Sequence, residues 1–532
     1  MVTHRSQKRM PMNNGANSDA AFDFIVCGAG SAGCVVAARM AADPAVRVLL
    51  LEAGGTDDVP EVMVPGMWPQ NLGSVRDWGF AAQPNRHLNG RAIPMNMGKV
   101  LGGGSSINVM VWARGHKSDW DDFAEASGDP AWGYESVLDI YRRVENWQGP
   151  EDAARRGRGG PVHVGSAVSP QAVAVAMVEA ARDLGLPAYD SPNGAMMEGR
   201  GGAAINDLIV RDGRRSSIFD AYLRPMAGRT NLTILTGALV SRLLFRGNAV
   251  IGVEAVCEGK SRRFFADREV VLSMGAVQTP KVLMQSGIGP EAELARHGIS
   301  TVVNLPGVGQ NHQDHVAFGC VFEYTEPQPV GHGGSEATLY WKSRPDLRLP
   351  DMFHCQLEFP VASPETIGEG FPEHGWTMFA GLAHPKSRGQ LRLSGPGADD
   401  PVLIEANMLS DPDDLRMALE NIELCRSIGW SAPMQELVKR EALPGKLDRG
   451  ALENFARNAA VTYWHQSCTA KMGMDTMSVV DARLRVYGLQ NLRIADASIL
   501  PHITSGNIMA PCVVIGERAA DLLKATHHLS AA

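Results

Sequence analysis

The sequence contains no closely spaced pair of cysteines, although eight cysteines are spread over its 532 residues. Disulfide-rich small domains and zinc ribbons both depend on close cysteine spacing, so this distribution disfavours both and favours reduced thiols. No apolar stretch is long enough to span a bilayer, and the polar residues 1–20 lack the apolar core of a signal peptide. We therefore expect no transmembrane segment, a disordered lead over residues 1–20 and a cytoplasmic location.

The sequence also lacks an excess of positive charge. Its formal net charge is −8, and charged residues make up 20% of the chain. Binding to nucleic acid or to an anionic membrane depends on a positive surface, so neither partner is expected. The one basic cluster, Arg155-Arg156-Gly157-Arg158, lies in a glycine-rich stretch, which predicts a solvated loop. The length of the chain predicts two or more domains, because single hydrophobic cores stop growing at smaller sizes.

Glycine, in contrast, is abundant, with 57 residues that occur in clusters. The first cluster, Gly28-Ala29-Gly30-Ser31-Ala32-Gly33, lies between an apolar run at 24–27 and an alanine-rich segment, and a second apolar run at 46–51 ends in Glu52. This pattern predicts a βαβ unit of a doubly wound α/β fold. In such units the glycines let a pyrophosphate approach the helix N-terminus, and the acid binds ribose hydroxyls. The motif alone fits FAD and NAD equally.

Two further segments carry glycine, proline and small polar residues at specific places. Residues 98–108 are dense in glycine, which predicts a buried loop whose backbone lies against a ring system and its phosphates. Residues 275–289 predict a strand exit and then a helix with Thr279 as N-cap and Pro280 at its first position, and Pro511 predicts the start of a last helix. No second G-x-G-x-x-G follows a strand, which disfavours a reductase with a separate NAD(P) site.

Together these segments resemble the glucose–methanol–choline (GMC) oxidoreductases. The resemblance rests on the first glycine motif, GKVLGGGSSINVMVWARG at 98–115, GAVQTPKVLMQSGIG at 275–289, HQSCTAKMG at 465–473 and NLRIADASILPHITSGNIMAPC at 491–512. It covers nearly the whole chain. It implies a Rossmann-like FAD-binding domain from residues 21–165, 205–318 and 475–527, and an α+β substrate-binding domain from 166–204 and 319–474.

The resemblance also implies which residues contact FAD. They are Gly28, Gly30, Ser31, Ala32, Gly33, Glu52, Ala53, Gly98, Leu101, Gly103, Gly104, Ser105, Asn108, Val109, Met110, Val111, Val240, Asp496, Ala497, Asn507 and Ile508. Some relatives attach FAD covalently through a histidine in the glycine loop. Because Ile107 and Asn108 occupy those positions here, we expect the FAD to be non-covalent.

His465 is the candidate catalytic base. Taken alone, a histidine beside Trp464 is accounted for by core packing. The resemblance implies instead that His465 faces the flavin and that Asn507 is its partner, although Gln466-Ser467-Cys468 departs from the commoner family sequence. A neutral imidazole can accept a hydroxyl proton near neutral pH, and an amide can hydrogen-bond the alkoxide without titrating. Trp464, His465 and Asn507 are therefore expected in the substrate pocket.

Several other residues stay open between a functional role and ordinary packing. Trp68, His354, Phe359 and His384 fit either a pocket wall or a core or surface position. His312 and His315 in NHQDH invite a metal interpretation, but this run resembles the family segment that leads out of the FAD domain. No metal site is therefore expected.

The expected activity is the FAD-dependent oxidation of a small primary alcohol to its aldehyde. The resemblance implies that His465 removes the hydroxyl proton, that hydride passes to flavin N5, and that oxygen or another acceptor takes the electrons. The aromatic neighbours of His465, and the absence of an obvious carboxylate anchor for a cation, favour a neutral, aryl or heteroaryl alcohol. The alternatives are a choline- or sugar-type alcohol dehydrogenase with a non-oxygen acceptor, and a hydroxynitrile-lyase-type enzyme with structural FAD.

Overall fold

The computed structural model describes residues 22–530, which fold around two large β-sheets. The expected disordered lead at 1–20 lies outside the described residues. The first sheet has seven strands. In spatial order they are Leu232–Leu235, Val48–Leu51, Phe22–Cys27, Lys260–Leu272, Ala249–Cys257 and Ala238–Arg246, with Leu492–Ile494 paired to Lys260–Leu272.

The first sheet contains the predicted βαβ unit. Phe22–Cys27 pairs in parallel with Val48–Leu51, and the helix Ser31–Ala41 connects the two strands. Val48–Leu51 is buried at every position, as expected for a parallel strand covered on both faces. The helix Met509–His527 packs against Ser31–Ala41 and continues the same hydrophobic core. The α/β fold class is therefore confirmed.

The second sheet has eight strands and is mostly antiparallel. Its order is Val438–Leu443, Val316–Tyr324, Gly375–Leu382, Met352–Leu357, Ala337–Trp341, Gly201–Ile205 and Ala188–Tyr189, with Val461–Thr462 paired to Val316–Tyr324. Residues from the helices Ala172–Asp183, Pro412–Gly429 and Arg449–Ala459 share a hydrophobic core with this sheet. A separate cluster containing Tyr340, Phe353, Phe379 and Tyr463 packs beside them. The domain boundaries stay a prediction.

Shorter elements connect the two sheets. The other α-helices are Pro60–Met63, Lys117–Ser127, Tyr134–Val144, Ile218–Tyr222, Gly275–Gln285 and Glu291–Arg296. The small sheets pair Glu145–Trp147 with Val162–Ser166 and that strand with Asp207–Leu208, Val210–Arg211 with Arg214–Arg215, Ile288–Gly289 with Val303–Asn304, and Gln390–Leu393 with Val402–Glu405. None of the helices between residues 22 and 530 combines the length and hydropathy that crossing a bilayer requires.

The predicted starts of two helices were wrong. The helix Gly275–Gln285 begins before Thr279 and contains Pro280 in its interior. A proline there leaves the carbonyl four residues earlier without its helical donor. The Thr469 hydroxyl fills this vacancy by donating to the Ala276 carbonyl at 2.6 Å. The last helix begins at Met509 rather than at Pro511, which still lies in the first turn, where the missing N–H costs nothing.

The basic cluster at 155–158 is a loop with Arg158 exposed, as predicted, but the prediction was wrong for Arg156. Arg156 is buried, and its guanidinium pairs with Glu145 at 2.8 Å and with Asp207 at 2.7 Å. It also lies over the Trp147 ring, 3.6 Å from the centroid. The two acids lie on strands of one small sheet, 11 and 51 residues from Arg156, so nothing within the glycine-rich run indicated that Arg156 is a core residue.

Candidate active site

One elongated cavity extends from the glycine motif of the first sheet to His465 beside the second sheet. The predicted cofactor residues that line it are Gly28, Gly30, Ser31, Ala32, Glu52, Ala53, Gly98, Gly103, Gly104, Ser105, Asn108, Val109, Val111, Val240, Asp496, Ala497, Asn507 and Ile508. Gly33, Leu101 and Met110 are not among the lining residues. Most of the predicted cofactor residues therefore line a single cavity.

The glycines of the first motif have different geometric roles. Gly28 has φ +96°, and a Cβ there would lie 2.4 Å from the Ser273 carbonyl oxygen. A Cβ on Gly33 would lie 1.9 Å from the Gly28 carbonyl oxygen, so this glycine serves the contact between helix and strand. Gly30 differs, because the nearest protein atom to its Cβ position is 3.9 Å away. Its backbone is therefore open to the cavity, at the N-terminus of the helix Ser31–Ala41.

Glu52 hydrogen-bonds to the backbone of this turn. Its carboxylate accepts the backbone N–H groups of Ala29 and Gly54, both at 2.8 Å. Burial raises the pKa of Glu52 to about 7, although both hydrogen bonds favour the charged form. Glu52 also lines the cavity, where its free lone pairs can accept hydroxyl groups from a ligand.

The glycine loop at 98–108 lies directly against the first motif. A Cβ on Gly103 would approach the Gly30 Cα to 2.8 Å, whereas one on Gly104 would meet no protein atom within 4 Å. Arg215, which was not among the predicted site residues, hydrogen-bonds to the backbone of this loop. Its buried guanidinium donates to the carbonyl oxygens of Ser105 and Asn108 at 3.1 and 2.7 Å, and burial lowers its pKa to about 9. Nothing in the sequence distinguishes Arg215 from Arg214 as the side chain that points inward.

Asp496 forms part of the opposite wall. It accepts the Thr279 hydroxyl at 2.6 Å and the backbone N–H groups of Gly275 and Ser498 at 3.0 and 2.8 Å. Thr279 is therefore a partner of Asp496 and not the helix cap that its sequence predicted. With its oxygens bonded to protein groups, Asp496 holds the segment that carries Ala497 against the cavity.

His465 lies at the other end of the cavity with both ring nitrogens bonded. Its Nδ1 is 2.8 Å from Nδ1 of His315, and its Nε2 is 3.3 Å from Nδ2 of Asn507. Its backbone N–H donates to the buried Asp314 carboxylate at 2.9 Å. Burial lowers the pKa of His465 to about 3, so the ring is neutral at physiological pH.

The hydrogen bonds of His315 fix which nitrogen of His465 carries the proton. His315 Nε2 lies 3.0 Å from the Thr504 carbonyl oxygen, which can only accept, so Nε2 carries the hydrogen. Burial, followed by the proximity of His465, holds the pKa of His315 well below its usual range, so its Nδ1 has no proton. That Nδ1 accepts from His465 Nδ1–H, which leaves His465 Nε2 unprotonated, with its lone pair facing the Asn507 amide. His465 is thus held in the tautomer that a base at Nε2 requires.

The surroundings of His465 at the cavity end are mainly aromatic and apolar. Trp68 and Trp464 lie edge to face with ring centroids 6.4 Å apart, and Phe379 stacks on Trp464 at 6.2 Å. The Trp464 indole donates to the Asn96 amide oxygen at 3.2 Å. Cys355, Leu357, Val361 and Tyr463 complete this part of the wall. Among the described residues, the only acids that line the cavity are Glu52 and Asp496, and both are bonded to backbone groups.

Comparison with known proteins places the chain in a family. The family model for GMC oxidoreductases matches residues 22–317 with its N-terminal part and residues 385–516 with its C-terminal part. The chain belongs to the GMC oxidoreductases. Human mitochondrial choline dehydrogenase is 35% identical over 96% of this chain and 91% of its own. An alcohol dehydrogenase (acceptor) of Pseudomonas putida is 34% identical over 94% of this chain and 95% of its own.

Solved structures agree with this assignment. Pyridoxine 4-oxidase from Mesorbium loti has a TM-score of 0.90 at 34% identity, over 96% of this chain and 100% of that chain. A formate oxidase from Aspergillus oryzae, studied for the modification of its FAD, has a TM-score of 0.89 at 27% identity, with the same coverage. With dehydrogenase and oxidase relatives of this kind, this GMC oxidoreductase is an enzyme of the class that acts on CH–OH donors.

The remaining candidates of this GMC oxidoreductase fall in different places. Trp68 and Trp464 line the cavity, whereas His354 and Phe359 do not. His384 lies beside Asp119 and Ser505, away from the lining residues. His312 and His315, which the sequence grouped as one motif, have separate surroundings, and only His315 contacts His465. The one available signal was their position just before the buried apolar strand Val316–Tyr324, where polar side chains need internal partners.

Proposed function

We propose that this GMC oxidoreductase uses non-covalently bound FAD to oxidise a neutral primary alcohol to the aldehyde, with His465 as the base. The observation that carries the proposal is the hydrogen-bonded ring of His465, whose unprotonated Nε2 lies 3.3 Å from the Asn507 amide. A base with its lone pair directed into a cavity, next to a hydrogen-bond donor, suits the deprotonation of an alcohol. Both side chains line the same cavity as the glycine motif.

The cavity fits FAD. Gly30 and Gly104 present backbone without side chains to it, as close contact with phosphates and a flat ring system requires. The helix Ser31–Ala41 has no side-chain cap at Gly30, so its first N–H groups remain available for a pyrophosphate. Glu52 would bind the ribose hydroxyls. Ile107 and Asn108 supply no imidazole for covalent attachment, so acid precipitation of the protein should release the flavin.

His465 and Asn507 would divide the work on the alcohol. Bound FAD supplies the acceptor for the hydride that leaves the alcohol carbon. His465 takes the hydroxyl proton on Nε2 while its Nδ1–H remains bonded to His315. The Asn507 amide donates to the substrate oxygen as negative charge develops there, which also fixes the direction of the reacting C–H bond. The products are the aldehyde, a proton on His465 and the reduced cofactor.

The wall beside His465 supports a neutral, aryl-type substrate. Trp68, Trp464, Phe379 and Tyr463 offer ring faces and edges for an aromatic alcohol. Neither of the two acids that line the cavity belongs to this aromatic wall: Glu52 lies at the glycine motif, and Asp496 is bonded to Thr279 and Gly275. A choline-type alcohol is the second candidate, because the Trp68–Trp464 pair can also hold a quaternary ammonium group by cation–π attraction.

Anaerobic flavin reduction tests the proposal. The flavin-loaded protein is mixed with benzyl alcohol, pyridylmethanols, choline and an aliphatic alcohol, and bleaching of the flavin absorbance is followed. We expect the aryl alcohols to reduce the flavin fastest, and His465→Ala to slow reduction by about 10²–10⁴-fold with flavin content unchanged. His163→Ala, at a half-buried strand position outside the cavity, is the matched control. Admitting air then distinguishes an oxidase, which reoxidises quickly, from a dehydrogenase.

Two outcomes would contradict the proposal. If His465→Ala reduced the flavin as fast as the unaltered protein, His465 would not be the base. If the protein bound flavin that no alcohol in the panel reduced, a structural role for FAD, as in a hydroxynitrile-lyase-type enzyme, would replace the oxidation of these alcohols.

A further inference from the structure

A cluster of three metal-ligand side chains lies behind the loop that carries Asn507. Asp119, His384 and His502 each place one ligand atom within 4.8 Å of the others. Asp119 belongs to the helix Lys117–Ser127, His384 follows the strand Gly375–Leu382, and His502 precedes the last helix. Three separate parts of the chain therefore converge on one point that does not belong to the cavity described above.

Asp119 provides the fixed anionic part of the cluster. Its carboxylate is fully buried. It accepts the backbone N–H groups of His116 and Ser505 at 2.7 and 2.8 Å and the Ser505 hydroxyl at 3.1 Å. A buried carboxylate held charged in this way needs a positive counterpart.

His502 is held in a tautomer that can bind a metal. Its Nδ1 lies 3.1 Å from the Ile503 carbonyl oxygen, which can only accept, so Nδ1 carries the hydrogen. Its Nε2 is then an unprotonated lone pair, and this buried atom, 3.7 Å from the Asp122 carboxylate, has no hydrogen-bond partner among the described residues. An imidazole whose other nitrogen donates to a backbone carbonyl is the usual state of a metal-ligating histidine.

His384 closes the cluster on its accessible side. Its Nε2 is 2.7 Å from the Ser505 hydroxyl oxygen and 3.4 Å from Asp119 Oδ1. The side chains of His384 and His502 are 18% and 24% exposed, so an ion can reach the cluster from solvent. Metal–ligand bonds of about 2.0–2.1 Å span less than the present separations, so the three side chains must draw together when an ion binds.

We propose that Asp119, His384 and His502 form a binding site for a divalent ion of borderline softness such as Zn²⁺. Two imidazoles and one carboxylate are a ligand set that such ions favour, and water completes the coordination. The ion would pair with the buried charge of Asp119 and occupy the free Nε2 of His502. It would also join the helix Lys117–Ser127 to the segment that runs from His502 to Asn507.

The site has a structural consequence for the cavity. Ser505 bonds to Asp119, and the neighbouring Thr504 carbonyl accepts His315 Nε2–H at 3.0 Å. An ion at the cluster would therefore stabilise the same loop that orients His315 and presents Asn507. Binding of the ion does not depend on which alcohol the cavity accepts, so this site and the proposed oxidation can fail independently.

Metal binding is measured on the untagged, flavin-loaded protein with Zn²⁺ as the probe. Equilibrium dialysis followed by elemental analysis gives the stoichiometry, and the thermal midpoint is recorded with and without Zn²⁺. We expect one tightly held Zn²⁺ per chain and a raised Tm. His384→Ala and His502→Ala should each weaken binding by at least about 10–100-fold and abolish the rise in Tm. His163→Ala should behave as the unaltered protein does.

Each outcome decides the proposal. Loss of Zn²⁺ in both histidine variants, with retention of flavin and of the Tm measured without metal, supports the site. The proposal is overturned if the unaltered protein binds no Zn²⁺, or if either variant binds it as tightly as the unaltered protein. Retained flavin shows that a variant is folded, so misfolding cannot imitate the supporting result.

Discussion

Replacing His315 by alanine tests whether the tautomer of His465 is fixed by its partner. The change removes the acceptor that lies 2.8 Å from His465 Nδ1 and leaves a buried N–H without a partner. An unsatisfied buried donor costs about 1–3 kcal/mol, and the ring can avoid this cost only by moving its hydrogen to Nε2. That shift would remove the base and the contact with Asn507 together. Flavin reduction should therefore slow by about 5- to 150-fold.

The assay is anaerobic stopped-flow reduction of the flavin, with flavin content and Tm as controls. The effect should appear in kcat more than in KM, because His315 itself does not line the cavity. His315→Gln should recover part of the rate, since its amide offers one acceptor and one donor in place of the two ring nitrogens. Reduction at the unaltered rate in His315→Ala, with flavin retained, would refute the tautomer argument. A lower Tm with an unchanged rate of flavin reduction would indicate that His315 contributes only to packing.

Three further predictions concern charge and pH. Glu52→Gln should weaken flavin retention by about 10-fold or more, measured as the flavin fraction left after dialysis, because an amide nitrogen cannot accept the N–H of Ala29 or Gly54. Since burial lowers the pKa of His465 to about 3, the base stays neutral far into acid, and kcat/KM should fall only as the pH approaches that value; a fall centred near the ordinary value of 6.5 would contradict this. His312, whose ring nitrogens have no partner among the described residues, has a pKa lowered to about 4. Below pH 6.5 the unfolded chain then binds more protons than the folded one, so the free energy of unfolding decreases by about 2 kcal/mol as the pH is lowered from 7.5 to 5. His312→Leu should flatten this part of the Tm–pH profile.

The sequence predicted the parts of the site that depend on local pattern. The βαβ unit at 22–51 combines a glycine turn, an alanine-rich helix and two apolar runs, and each is set by near neighbours in the chain. The strand bounds moved by only two residues. Gly28, Gly30 and Glu52 then lie together because parallel strands end at one edge of a sheet. The roles assigned to them stay a prediction.

The residues that tertiary packing brings together were not predictable in the same way. His315 meets His465 across 150 residues of sequence, and nothing in NHQDH distinguishes a ring that orients a base from a metal ligand. Arg156 lies in a run that resembles a loop, and only Glu145 and Asp207 make it a core residue. Pro280 was predicted at a helix start but lies inside a helix. The Thr469 hydroxyl, which replaces the missing N–H donor, comes from a distant part of the sequence. In each case at least one deciding partner lies 51 or more residues away in the chain.

The loop from Thr504 to Asn507 controls His465 from both sides. The Thr504 carbonyl fixes the hydrogen of His315 and, through it, the unprotonated state of His465 Nε2. Asn507, three residues later, donates to that same nitrogen. Ser505, between them, is held by Asp119 through both its N–H and its hydroxyl. A displacement of this loop would therefore remove the correct tautomer and the orienting amide at once, rather than one after the other. The protonation state and the geometry of the proposed base thus depend on the buried Asp119 carboxylate, which does not line the cavity.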